Sequence, residues 1–381
     1  MLKSPAKTTD ETKQKTNKIL TKKTFRFMKK ILLSLAAVAM LAACSKEETL
    51  VQQAPEAIGF DTFVDNATRS VNDPSFSNTY LFSNFGVFGK VEGATLFDNV
   101  TVTGSAIKGT WSYQNTQYWI AGAKYSFGAV APKTINVNEV DTPVYTNASF
   151  TTAVTEVDGV NKYTGTTALT FANTGTTDLL YAWAEQDGKV SGNTTVGFSF
   201  RHVLSKVKFS FKNAYDASTA TIKVHTIKVE NAYASASASF TKDATNWTSQ
   251  TGVLALEFGN ASDDESTVNA KEAAEVAYGY GKTYESLNER FLIPGVAKPL
   301  ADDANAGYKV TFKVDLLVNG TKIKTYDHVA YANFTPAAGF CYDIKTEINA
   351  SNIDPQHQQE PIQFTVTAVN GWDESDQNKT M

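Results

Sequence analysis

The feature that most constrains this chain is a hydrophobic period of two. From Tyr308 to Val318, Val310, Phe312, Val314, Leu316 and Val318 share one parity, while Lys309, Thr311, Lys313 and Asp315 share the other. That alternation specifies a half-buried strand with Asp315 on the solvent face. Asn319-Gly320 then supplies the residues of a type I′ turn, and Lys322 to Tyr326 is the expected return strand. Ile362 to Val369 alternates similarly, with Ile362, Phe364, Val366 and Ala368 on one face. Two breaks of phase are informative. Ile222 and Val224 fall on one parity and Ile227 and Val229 on the other, which predicts a β-bulge near His225. Val196, Phe198 and Phe200 are even-numbered, whereas Val203, Val207, Phe209 and Phe211 are odd, which predicts a bend around Arg201-His202. Asn269 to Val276 is compatible with two helical turns, but no long segment holds apolar residues at helical spacing. Short strands rich in Thr, Val, Phe and Tyr indicate an all-β sandwich architecture.

The N-terminal region reads differently. Met28, Lys29 and Lys30 form a basic start, Ile31 to Met40 an apolar core, and Leu41-Ala42-Ala43-Cys44 closes it. This is the layout of a secretory signal, and the tetrapeptide matches the bacterial lipobox at every position. The Cys44 thiol is the expected lipid attachment point. The apolar run is much shorter than the ~20 residues of a spanning helix. Residues 1–27 are polar and basic, and read as a mis-assigned start or an extended n-region. Residues 28–43 are the signal peptide. Residues 44–69 begin with a charged tether, after which Ala57 to Phe63 reads as one isolated strand, including Ile58, Phe60 and Phe63. Arg69-Ser70 lies in the polar stretch that follows. The body divides into residues 70–190 and 191–381, with Gln186 to Thr194 as the most linker-like stretch between them.

Charge and cysteine content narrow the function. Residues 1–43 carry a net +8, and the whole chain −4, so the remainder is at −12. An acidic body argues against nucleic acid as a partner. With Cys44 lipidated, Cys341 stands alone and forms no intrachain disulfide, so stability must come from apolar core.

No motif announces catalysis, a metal or a cofactor. His202, His225, His328 and His357 are far apart and form no close ligand pair. His202 continues the inward parity of Phe200, which predicts a packed core histidine. Gly279-Tyr280-Gly281-Lys282-Thr283 lacks the upstream glycine of a phosphate loop, and reads as a turn. Asp263-Asp264-Glu265 lacks the spacing of a calcium loop. Trp111, Trp119, Trp183, Trp247 and Trp372 could stack on sugars, although most aromatic residues of a β-sandwich are core.

An ordered series of short stretches resembles the fimbrillin family of Bacteroidetes. Ala57-Ile58-Gly59-Phe60 with Thr68-Arg69 resembles the family's first strand and processing site. Phe85 to Gly89, Tyr118-Trp119 with Tyr125 to Pro132, Asp178 to Ala182, Phe200 to Val207, Phe291 to Pro294, and Pro361-Ile362 with Gly371-Trp372 continue it in order across residues 28–372. Ile120 departs from the proline usual after that tryptophan, and nine residues follow Trp372.

The resemblance implies two tandem β-sandwich domains of transthyretin-like Greek-key type. It implies a structural, non-enzymatic subunit of a cell-surface fimbrium, delivered as an outer-membrane lipoprotein. An Arg-specific protease would cut between Arg69 and Ser70 and remove Ile58, Phe60 and Phe63. Another fimbrial subunit would then add a strand to the exposed edge. Ile362, Phe364, Val366 and Ala368 would be either a donor strand or the last strand of their own sheet. The short tail favours a tip or minor subunit that mediates adhesion to a host or bacterial surface ligand, or biofilm formation. The alternative is an outer-membrane glycan-binding lipoprotein.

Overall fold

The computed structural model describes residues 56–64, 82–105, 110–188, 195–258, 276–278, 285–286, 289–301, 303, 305–357 and 360–370. Cys44, Arg69, Ser70, Trp372, the Asp263 acidic run, the Gly279 loop and most of the possible helix at Asn269 lie outside them. Val276, the end of that possible helix, starts the strand Val276–Tyr278. Among the described residues the regular structure is entirely β.

Among the described residues two pairs of sheets make most of the body, and Thr134–Val137 with Val140–Pro143 form a further two-stranded sheet. The first contains seven strands, in the order Gly59–Val64, Thr195–His202, Leu180–Asp187, Lys124–Ala131, Asn84–Val91, Ala94–Ser105, Thr110–Tyr113. A four-stranded sheet of Thr245–Thr251, Ser235–Phe240, Val160–Ala172 and Tyr145–Val157 covers one of its faces. Phe88, Val130 and Tyr181 from the larger sheet meet Phe150, Leu169, Phe171 and Phe240 from the smaller. The second pair comprises two five-stranded sheets. One is built on Ser205–Asn213, Phe340–Ile348 and Thr365–Asn370, the other on Leu254–Phe258, Ala220–Ala232, Tyr308–Val318 and Thr321–Ala332. Val207, Phe209, Ile222, Val224, Phe312 and Ile344 fill the space between them. The expected boundary near residue 190 falls ahead of Thr195–His202, which is hydrogen-bonded into the first sheet, and ahead of the hairpin 235–251, which completes the four-stranded one.

The phase breaks have physical counterparts. The pairing of Ala220–Ala232 with Tyr308–Val318 shifts register between His225 and Lys228, where Thr226 takes a φ of 55°. At Arg201-His202 the chain leaves the seven-stranded sheet, and by Ser205 it has entered a five-stranded one. The bend is thus the crossing between the two pairs of sheets. The predicted hairpin is present, with Asn319 and Gly320 at φ of 50° and 77°.

Two expectations need correction. Asp315 is not on a solvent face but 2% exposed. The residues after the turn fold back over it, with Lys322 Nζ 2.8 Å away and the Thr325 hydroxyl donating at 2.5 Å, and from the strand on the other side His225 Nε2 lies at 3.5 Å. These partners hold its carboxyl below the usual range, against the opposing effect of burial. His202 is not packed in apolar core. It sits at the crossing, where Nδ1 meets Asp178 Oδ2 at 2.7 Å. Burial raises the Asp178 pKa, with His202 and the Leu179 amide opposing it.

Candidate functional site

The segment around Ile58 to Phe63 is an integral edge of the seven-stranded sheet. Gly59–Val64 runs parallel to the start of Thr195–His202, with Phe60 opposite Val196 and Thr62 opposite Phe198. Parallel neighbours need a long connection, and here well over a hundred residues separate the two strands. Just ahead of it the chain pairs on another side. Ile58 N donates to Gln117 O at 2.8 Å, and Trp119 N donates to Glu56 O at 3.0 Å.

Alternation sends Ile58, Phe60 and Thr62 inward, at 1%, 5% and 5% exposure. Phe60 is the centre of an aromatic cluster. Its ring stacks on Phe198 at 5.7 Å and meets Phe97 edge-on at 5.5 Å, with Phe85 and Phe127 slightly farther away. Burying side chains of this size contributes about 1.5–3 kcal/mol each. Phe63 continues the strand opposite Ser199; its side chain lies outside the described residues.

The far edge of the same sheet, Thr110–Tyr113, meets this strand without a backbone ladder. The sheet curls until its two edges touch, and side chains close the seam. Trp111 Nε1 donates to Thr62 Oγ1 at 3.1 Å. The Tyr113 hydroxyl donates to Ile58 O at 2.7 Å and accepts from Gln117 N at 3.1 Å. The Tyr113 ring lies 5.3 Å from Phe60. Burial is the main cause that pushes the Tyr113 pKa up, so the phenol stays protonated and able to donate. Lifting out the first strand would expose a channel lined by Phe85, Phe97, Phe127 and Phe198, with unpaired amides along Thr195–His202.

The last strand has a different setting. Thr365–Asn370 pairs antiparallel with Phe340–Ile348, from Lys345 opposite Thr365 to Phe340 opposite Asn370. Ile362, Phe364 and Val366 pack half-buried against the core of the second pair of sheets, and Ala368 is exposed. Val366 and Ala368 lie within this paired strand, and Ile362 and Phe364 precede it.

The remaining histidines do not converge. His328 is buried against the Phe312 ring at 5.1 Å, and burial lowers its pKa to about 4. His357 pairs with Asp354 at 3.3 Å on the surface. Among the described residues, no three His, Cys, Asp or Glu side chains are grouped as metal ligands. A cleft of about 260 Å³ is lined by the tip of the hairpin 145–172 and by Lys124–Ala131 and Leu180–Asp187 of the larger sheet. Lys124, Ser126, Asn161, Tyr163, Glu185 and Asp187 are among its lining, and Lys124 is ion-paired to Asp187 at 2.7 Å. Of the described tryptophans, Trp119 is buried, and Trp111, Trp183 and Trp247 are half-buried. Among aromatic residues of described burial only Tyr118 is exposed, at 50%.

Sequence reading located the first strand but missed Trp111 and Tyr113, the residues that close the seam. Their signal is weak, because the pairing that gives them a role spans some fifty residues.

Comparison with known proteins gives the setting. The chain is similar in structure to a fimbrial protein of Bacteroides vulgatus, at 16% identity and a TM-score of 0.49, over 83% of this chain and 99% of that one. It is also similar to a proposed cell adhesion protein of Bacteroides ovatus, at 13% identity and a TM-score of 0.44, over 84% and 99%. No curated protein matches it. The fimbrillin-like family model matches residues 68–372, and by that match the chain belongs to the fimbrillin-like family.

Proposed function

We propose that this protein is an adhesive subunit of a cell-surface fimbrium, held in a non-assembling state by its own first strand. The lipid on Cys44 carries the precursor to the outer membrane. Cleavage between Arg69 and Ser70 by an Arg-specific protease cuts the covalent link between Gly59–Val64 and the body. Another subunit then supplies a strand that restores the ladder to Thr195–His202 and refills the aromatic channel. The observation that carries this reading is the placement of Gly59–Val64. It is an edge strand ahead of Arg69, yet Ile58 and Phe60 reach the centre of a core. No enzymatic step by this chain is part of the reading.

A tip or minor position is supported by the last strand, which is paired within its own sheet and packed on its own core. A strand so engaged is a poor donor.

N-terminal sequencing of surface-exposed protein tests the reading. A start at Ser70 in the polymer, and a start at Cys44 with no polymer entry for Arg69→Ala, are expected. A polymerised subunit that keeps residues 45–69 would refute processing as the trigger. Binding to polysaccharides by an uncut, monomeric protein would instead favour the glycan-binding alternative.

A further inference from the structure

The seam between the two edges of the curled sheet does more than close a core. We propose that Trp111 and Tyr113 make the channel selective for a strand of the form aliphatic-x-aromatic-x-Thr/Ser, entering parallel to Thr195–His202 and donated by a different subunit rather than by a second copy. The inference rests on the strand-replacement reading above.

The two side chains read different parts of the occupant. Tyr113 donates to a main-chain carbonyl, that of Ile58, so it holds any extended strand at that depth. Trp111 donates to a side-chain oxygen, that of Thr62, so it discriminates. An indole N–H is a donor only. Thr62 is buried, and Trp111 is fixed from behind, stacked on Phe82 at 5.7 Å and edge-on to Phe85 at 5.0 Å. An occupant with Val at this position would match the shape and leave the indole without an acceptor.

This chain supplies its own comparison. Ile362-Gln363-Phe364-Thr365-Val366 repeats the spacing of Ile58-Gly59-Phe60-Asp61-Thr62, but places Val366 where Thr62 stands. Laid parallel in the channel, it would satisfy the two apolar positions and fail the third. The seam therefore disfavours self-addition.

The test uses the full chain cut at Arg69 by an Arg-specific protease. Fluorescent peptides with the sequence 57–63 and its Thr62→Ser and Thr62→Val versions compete for the channel. Thr and Ser peptides should bind alike, and the Val peptide about tenfold more weakly, equivalent to ~1.4 kcal/mol. On Trp111→Phe protein the three should converge. On Tyr113→Phe protein all three should weaken by the same factor. Equal binding of Thr and Val peptides to the unmodified protein would overturn the selectivity and leave strand replacement standing. Failure of every peptide to enter the cut protein would overturn both. If Trp111→Phe does not fold, the three peptides on unmodified protein still decide.

Discussion

The segments that lead into the first and last described strands share a spacing, Ile58-x-Phe60 and Ile362-x-Phe364, and the strands are held in contrasting ways. The first is a parallel edge whose inward side chains are nearly fully enclosed. The last is an antiparallel edge whose apolar residues are only half-buried, with Phe364 5.7 Å from Phe209 and 6.2 Å from Phe312. The first is stitched by side chains from the opposite edge of its sheet; the last is held by its neighbouring strand, by Thr346, which donates to Gln363 O at 2.8 Å, and by partial packing on the core. Depth of burial and continuity of the chain thus run in opposite directions. The strand proposed to leave is the one whose departure opens the larger void, so a replacement is strongly favoured over an empty channel.

Substitutions can break this contrast. Phe60→Ala should have the largest effect, because it opens a cavity among five aromatic rings. A loss of about 3–5 kcal/mol in denaturant unfolding is expected, together with easier exchange of the cut strand. An effect below that of Phe364→Ala would contradict the ranking of the two strands.

Acid should act on the side of the last strand. His328 stacks on Phe312, the ring that also contacts Phe364. Its pKa is lowered to about 4 from the ordinary 6.5. The unfolded chain takes up the proton first as pH falls, so this contribution is intact above pH 6.5 and is lost progressively down to about pH 4. The loss amounts to about 3 kcal/mol. His328→Phe, which keeps a stacked ring, should flatten the stability profile in that window. An unchanged profile would remove His328 from the account. Phe364→Ala should show the smallest effect, about 1–2 kcal/mol, in keeping with its partial burial. It should leave peptide binding at the first-strand channel unaltered.

Much of the local structure was legible in sequence because it depends on neighbours. The hairpin at Asn319-Gly320, the bulge after His225 and the bend at Arg201-His202 each follow from parity and turn chemistry within a dozen residues. The first strand was legible too, from Ile58 to Phe63. Its partner was not, because a parallel ladder between residues near 60 and near 196 leaves no trace in the spacing of either. The seam was hidden for the same reason. Trp111 reads as one more core aromatic until the sheet curls and brings Thr62 beside it. Asp315 misled because alternation predicts which side a residue faces, not what later folds over it.

The crossing at Arg201-His202 also has a mechanical meaning. Thr195–His202 is the strand against which Gly59–Val64 lies, and Ser205–Asn213, which follows almost at once, is ladder-paired in parallel to Phe340–Ile348. Tension applied along an occupant loads its rungs together in shear, not one after another as in unzipping. From there it passes along continuous backbone into the interior of the second pair of sheets. A chain so wired transmits pull through strand axes, which suits the adhesive role proposed for it.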